Sequence, residues 1–181
     1  MQFSEQIELG VDCRYESSSE GDPSETGIND DTLSAYDWLM SKGTLPARVI
    51  VLCRSLGNVP ARWLAAVRPT AGLILVSPFT SLPGAIADHI GWPPFRVLPW
   101  PNNRFDVGLP LSHVTVPVAF IVSKTDGLVP LENARHLAAM SPTPVRWFED
   151  DHAEQNGLLA PVAASGVLRR ALDSVIEKNA P

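Results

Sequence analysis

The chain has 181 residues, of which 45% are hydrophobic, and it carries a formal net charge of -6. That length and apolar content fit one domain with a substantial core. The negative charge and the lack of a Lys/Arg cluster argue against nucleic acid as a partner. No apolar run approaches the ~20 residues of a membrane span, and the N-terminus does not resemble a signal peptide, so we expect a cytoplasmic protein.

Five short and nearly continuous apolar runs predict the strands of a parallel sheet that is covered on both faces. In chain order they are Ile7–Val11, Arg48–Leu52, Gly72–Val76, Val118–Val122 and Val145–Phe148. Helical patterns lie around them at Asp31–Met40, Asn58–Val67, Leu131–Met140 and Ala160–Ile176. The alternation predicts the α/β class, with a mostly parallel central sheet flanked by helices in a single domain over residues 1–181.

Local signals add detail to this outline. Asp31 is the predicted N-cap of the first helix, and Gly43 is predicted just past its end. The acidic run Glu16–Asp31 is expected to form a solvated loop. Residues 91–110 begin with GWPPFRVLPWP and are too rich in proline for a regular helix or a central strand. Pro60 predicts a distorted first turn in the second helix.

The segment VIVLCRSLG ends a strand pattern at Ser55, which lies between the small residues Cys53 and Gly57. Small residues two before and two after a serine are typical of a nucleophile elbow, the sharp turn from strand to helix that exposes the serine Oγ above a sheet. The alternative is that Ser55 is a helix N-cap. Ser77 and Ser123 also follow strands, but they lack the small flanking residues, so Ser55 is the preferred nucleophile.

Asp126 and His152 each follow a later strand of the predicted sheet, in KTDGLVP and FEDDH. Because the carboxyl ends of parallel strands share one edge, we expect both to lie near Ser55. A serine nucleophile needs a histidine to accept its proton and a carboxylate to orient that histidine. The backbone N–H of Leu56 is the predicted oxyanion donor. Taken singly, Asp126 is equally a turn residue and His152 a solvated loop histidine.

These motifs resemble those of the α/β-hydrolase-fold serine hydrolases, in particular the small esterase and palmitoyl-thioesterase-like branch. The likeness rests on the GxSxGG-type elbow, the D-x-L-V-P loop at Asp126 and the late histidine. It extends to DCRYESSSEG, PSETGINDD, SPFTSL and RFD, and so covers most of the chain. The chain departs from the family pattern where glycines are replaced, at Tyr15, Ser17, Cys53 and Asn58.

The resemblance implies a serine hydrolase that cleaves an acyl ester or thioester through an acyl-enzyme, with Ser55, His152 and Asp126 as its triad. It implies no cofactor and no metal. In the family, three strands and a helix precede the segment that begins here near Ile7, so the resemblance implies a fold lacking its first three strands and the second oxyanion donor. The alternative is a truncated, catalytically impaired relative that acts as a non-enzymatic binding module.

The resemblance also gives residues 91–110 the place of a cap over an acyl pocket. Their aromatic residues either line that pocket or attach an irregular loop to the core; they are Trp92, Phe95 and Trp100. Cys13 and Cys53 are expected to be reduced thiols, unless the strands that carry them are neighbours. The remaining histidines are expected to be structural or exposed; they are His89, His113 and His136. The oligomeric state stays open.

Overall fold

The central sheet has four parallel strands in the order β1-β2-β3-β4. The structure, a computed structural model, describes residues 24–92, 111–150 and 166–177. The strands are β1 (Ile50–Arg54), β2 (Gly72–Val76), β3 (Val118–Val122) and β4 (Val145–Glu149). This sheet confirms the predicted α/β class. The predicted strand Ile7–Val11 lies outside the described residues, as do Cys13, His152 and residues 93–110.

Helices lie on both faces of the sheet. They are α1 (Glu25–Ser41), α2 (Asn58–Val67), α3 (Leu82–Ile90), α4 (Leu131–Ala138) and α5 (Val167–Glu177). Short 3₁₀ turns at Pro46–Arg48 and Ser55–Gly57 flank β1. Each parallel connection between the described strands therefore contains at least one helix, as parallel pairing requires.

The core has two layers because side chains alternate across the buried strands β2 and β3. Leu73, Leu75 and Phe120 face α2, α3 and α4, in the larger cluster of buried side chains. Ile74 and Ile121 face the opposite way, where they pack against α5. Every residue of β2 and β3 is buried, whereas β1 is only partly buried along its length.

The strand register brings the carboxyl ends of the four strands to one edge of the sheet. Arg54 pairs with Val76 at the ends of β1 and β2, and Val122 pairs with Glu149 at the ends of β3 and β4. The chain therefore leaves all four strands at the same edge. In open parallel sheets, this edge is the one that binds ligands.

The first helix begins earlier than the sequence predicts. Its N-cap is Ser24, whose Oγ accepts a hydrogen bond from the Gly27 N–H at 3.0 Å, so the prediction of Asp31 as the cap is wrong. Residues 25–31 form the first turns of α1 rather than a solvated loop. Burial of Ile28 in the core explains the difference, because tertiary packing overrides the weak helix propensity of the surrounding polar residues. Gly43 does follow the helix end, at φ +82°.

Other boundaries differ in smaller ways. Strands β2 and β3 and helix α2 match their predicted limits, whereas β1 starts and ends two residues later than predicted. Helix α3 was not predicted, although Ser81 caps it by accepting from the Gly84 N–H and Gly91 ends it at φ +67°. Helix α5 is described over Val167–Glu177, and its predicted start at Ala160 lies outside the described residues.

Candidate active site

Ser55 occupies a strained turn at the end of β1. Its φ is +51°, and among the described residues Ser77 is the other non-glycine residue with a positive φ. Such a conformation is uncommon for a residue with a side chain and costs of order 1–3 kcal/mol, so it persists only where the surrounding structure enforces it. The sharp turn predicted at Ser55 is therefore present. Ser55 is partly exposed, and it opens the 3₁₀ turn that leads into α2.

The two small residues that flank Ser55 face each other across the turn. A methyl group added at Gly57 would lie 3.7 Å from the Cβ of Cys53 and 4.0 Å from its Sγ. These are ordinary van der Waals distances, so the turn accommodates a Cβ at position 57. The two positions thus lie on the same side of the turn, as the flanking positions of an elbow do.

The helix after the elbow begins at Asn58, so Pro60 lies in its first turn. Proline costs least there, because the first backbone N–H groups of a helix have no intrahelical acceptor. The first turn of α2 is α-helical from Asn58, and the 3₁₀ turn at Ser55–Gly57 comes before it, so the distortion predicted within the helix at Pro60 is not seen. Ser55 itself is not an N-cap, because the cap of α2 is Gly57, without a capping side chain.

Asn58 joins the start of α2 to the end of β2. Its side chain is fully buried, and its Nδ2 donates to the carbonyl oxygens of Val76 at 3.0 Å and Ser77 at 3.4 Å. The family has glycine at this position, as the resemblance implies. The asparagine instead bonds the nucleophile helix to the neighbouring strand end.

Asp126 lies four residues beyond β3 in a loop that its own carboxylate organises. Its Oδ1 accepts hydrogen bonds from the backbone N–H groups of Leu128 at 2.9 Å and Val129 at 3.0 Å. Its Oδ2 is buried and has no hydrogen-bond donor among the described residues. Asp126 thus stabilises its own turn through Oδ1, while Oδ2 remains available as a hydrogen-bond acceptor.

A small cavity of about 10 Å³ lies between the ends of β2 and β3. Its lining includes Asp126 and two buried serines, Ser77 and Ser123. A space of that size holds about one water molecule, so it is too small for an acyl chain. Ser55 does not line it. The cavity therefore marks the surroundings of Asp126 and not a substrate pocket.

The third predicted triad residue, His152, lies outside the described residues. The last described residue before it is Asp150, whose N–H donates to the Val122 carbonyl at 2.9 Å. That bond continues the pairing of β4 with β3 past the end of the strand. The chain therefore leaves β4 beside the loop of Asp126, two residues before His152.

One ion pair crosses the same edge of the sheet. Lys124, just after β3, contacts the Glu149 carboxylate at the end of β4, and both side chains are largely exposed. The hydrogen bond from Lys124 is the largest cause that lowers the pKa of Glu149 below its ordinary value. The pair lies at the carboxyl ends of β3 and β4, and Lys124 is two residues before Asp126 along the chain.

Among the comparison structures, an alpha-beta hydrolase from Vibrio vulnificus aligns over 86% of this chain and 61% of its own, with a TM-score of 0.66 and 24% identity. The chain has the α/β-hydrolase fold. No family model matches it. An uncharacterized protein of Mycobacterium tuberculosis is 35% identical over 140 residues, which are 77% of this chain and 49% of that protein. Lysophosphatidylserine lipase ABHD12 of Danio rerio is 29% identical over 142 residues, covering 70% and 37%.

The chain therefore spans about half of the length of the mycobacterial relative and less of the lipase. Its described part contains four parallel strands of the shared fold and the turn that carries Ser55. Within that part, no helix combines the length and apolar character needed to cross a bilayer. No cluster of three potential metal ligands occurs in residues 24–92, 111–150 and 166–177.

Two residues that make contacts near the carboxyl edge of the sheet were not predicted from the sequence to do so. His89 contacts the loop of Asp126, and the buried Asn133 of α4 contacts α3. A helix N-cap signal at Ser81, with proline in the first turn and Gly91 at the end, was sufficient to predict α3. No sequence signal shows which loop the end of that helix contacts.

Proposed function

We propose that this chain is a serine hydrolase that cleaves an acyl ester or thioester. Ser55 is the nucleophile, His152 the general base, Asp126 the residue that orients His152, and the Leu56 N–H an oxyanion donor. The observation that carries the proposal is the positive φ of Ser55 at the carboxyl end of β1, at the start of the turn into α2. The hydrolases named above have the same fold and support this reaction class.

The state of Asp126 supports its role. A triad carboxylate must hold its own position and also accept a hydrogen bond from the imidazole Nδ1–H. The carboxylate is held in position because its Oδ1 accepts from the N–H groups of Leu128 and Val129. Its buried Oδ2 has no donor among the described residues, so it can accept the imidazole hydrogen. A buried carboxylate oxygen without a partner is costly, and a bond from His152 would remove that cost.

In the proposed reaction, Oγ of Ser55 attacks the acyl carbonyl carbon while His152 takes the hydroxyl proton. The tetrahedral intermediate collapses, and His152 returns that proton to the departing alcohol or thiol. His152 then takes a proton from a water molecule that attacks the acyl-enzyme, and it returns that proton to Oγ of Ser55 as the carboxylic acid is released. The reaction needs no oxidant, metal or organic cofactor, and its partner is a small-molecule acyl substrate.

Labelling with a fluorophosphonate probe, followed by identification of the modified peptide, tests the proposal. We expect the label on Ser55, and its loss in Ser55→Ala and His152→Ala. Ser77→Ala is a matched control, because Ser77 also has a positive φ directly after a strand but is only 3% exposed. A folded wild-type chain that takes up no label would instead favour the non-enzymatic binding module.

A further inference from the structure

The end of helix α3 contacts the loop that carries Asp126. His89, in the last turn of α3, has its Nδ1 2.8 Å from the carbonyl oxygen of Gly127. Because a carbonyl oxygen only accepts, the ring must carry a hydrogen on Nδ1, which both the protonated ring and one neutral tautomer provide. This bond links two segments that are 38 residues apart in the chain.

Gly127 sits between Asp126 and the two amides that bond to its carboxylate. Those amides, of Leu128 and Val129, hold Oδ1 from within the loop itself. Apart from residues 126–128 themselves, no described atom lies within 4 Å of the position that a Gly127 Cβ would take. The Cβ side of residue 127 therefore faces open space, and the bond from His89 supplies an attachment from outside the loop.

Helix α3 is itself held firmly, so His89 is presented from a fixed support. The side chain of Asn133 is 1% exposed, and its Oδ1 accepts from the Thr80 N–H at 2.6 Å. Its Nδ2 donates to the Asp88 carboxylate, next to His89. One buried amide of α4 thereby fixes both the segment before α3 and the last turn of that helix.

We propose that His89 is a positioning residue, which holds the loop of Asp126 and thereby the carboxylate oxygen Oδ2 that has no donor among the described residues. The catalytic half of this proposal rests on the function proposed above. The structural half, that His89 orders residues 126–129, stands on the contacts alone. His89 itself does not touch the reacting atoms.

The test compares His89→Ala with His89→Asn, because an asparagine Nδ2 occupies nearly the place of the histidine Nδ1 and also donates. His136→Ala is the control, since His136 is an exposed histidine on α4. The structural readout is amide hydrogen exchange at Leu128 and Val129. We expect exchange about five- to tenfold faster in His89→Ala, as loss of one hydrogen bond gives, with most of the protection restored in His89→Asn. The His136→Ala variant should exchange like the wild type.

The catalytic readout is ester turnover in the same variants. We expect kcat to fall about five- to tenfold in His89→Ala with KM unchanged, and to recover in His89→Asn. The acidic limb of the pH profile should move to lower pH in His89→Ala, because a displaced carboxylate stabilises the imidazolium less. If His89→Ala only lowered the stability of the fold and left the Asp126 carboxylate in place, the acidic limb of the pH profile would not shift.

The two proposals fail in different ways. Unchanged exchange at Leu128 and Val129 in His89→Ala would overturn the role of His89 even if the chain is an active hydrolase. Faster exchange with an unchanged kcat and pH profile would overturn its catalytic half. An unlabelled wild-type chain would overturn the proposed function and that catalytic half together, and the exchange result would then decide the structural half separately.

Discussion

Two neighbouring strand ends in this sheet carry strained serines with very different surroundings. Ser55 after β1 and Ser77 after β2 have φ values of +51° and +47°, and the residues before them, Arg54 and Val76, are paired across the sheet. Ser55 is partly exposed and leads directly into a helix. Ser77 is 3% exposed, and its N–H donates to the Ile121 carbonyl at 2.9 Å. Backbone strain alone therefore does not identify a nucleophile.

The difference arises from the residues that follow each serine. After Ser55, the small Gly57 allows the chain to turn at once into α2. After Ser77, Pro78 and Phe79 continue into a buried segment, and α3 begins only at Leu82. A proline directly after the turn cannot donate an N–H, so the second strand end lacks the backbone oxyanion donor that Leu56 would provide.

The largest expected effect is on catalysis at the two serines. Ser55→Ala should lower kcat/KM for a short-chain ester by roughly 10⁴- to 10⁶-fold, because loss of a triad nucleophile removes the acyl-enzyme route. Ser77→Ala should change it less than about fivefold, because alanine keeps the backbone N–H that donates to the Ile121 carbonyl. Steady-state kinetics on purified, folded variants measures both. Equal losses in the two variants would contradict the distinction drawn between the strand ends.

Asp126 lines a cavity with Ser77 and not with Ser55. Asp126→Asn keeps an oxygen for the Leu128 and Val129 amides but should lower kcat by about 10⁴-fold, since the amide does not hold His152 in the required tautomer. Ser123→Ala, in the same cavity, is the matched control and should retain activity. A variant Asp126→Asn with wild-type kcat would show that Asp126 is only a turn residue.

The glycines at or near the starts of the two helices that follow β1 and β2 should also differ in their tolerance of a methyl group. At Gly84 in α3, an added Cβ would lie 2.8 Å from the Thr80 Oγ1 and 2.9 Å from the Ser81 Oγ that caps the helix. Gly84→Ala should therefore lower the free energy of unfolding by about 1 kcal/mol through damage to the cap. Gly57→Ala should stay within about 0.5 kcal/mol, because its nearest contact is ordinary. Chemical denaturation measures both, and the reverse order would contradict the geometry of the elbow.

The smallest expected effect lies at the ends of β3 and β4. Lys124→Met removes the hydrogen bond that lowers the pKa of Glu149, so that pKa should rise toward its ordinary value. A carboxylate with a lowered folded-state pKa stabilises the fold above its unfolded pKa, and this stabilisation is lost as the pH falls through the folded value. Carboxyl-carbon NMR titration of Glu149 gives the shift directly. An unchanged titration in Lys124→Met would show that the ion pair is absent in solution.

Much of this fold could be predicted from apolar runs and turn chemistry. Strands β2 and β3 are continuous apolar stretches that are buried on both faces, and their limits match the prediction. The start of α1 did not match, because burial of Ile28 stabilises a polar turn that propensity alone does not favour. Helix α3 was missed although its capping signals are present in the sequence.

In the candidate site, too, the local features could be predicted from the sequence and the long-range contacts could not. A serine between small residues predicted the strained turn, because the steric requirement of an elbow is met by residues close together in the sequence. Contacts between distant segments are not visible in that way. The bonds of His89 to Gly127 and of Asn58 to the end of β2 depend on how helices pack over the sheet. Ser55 and Asp126 each follow a strand at the carboxyl edge of the sheet, and their assembly with His152 into one site stays a prediction.

The central claim is that Ser55, His152 and Asp126 form one hydrogen-bonded unit. A crystal structure of the chain after reaction with a fluorophosphonate tests it most directly. We expect a phosphoryl group on Oγ of Ser55, with the Nδ1 of His152 within hydrogen-bonding distance of Oδ2 of Asp126. A phosphoryl group on another residue, or an imidazole of His152 remote from Asp126, would contradict it.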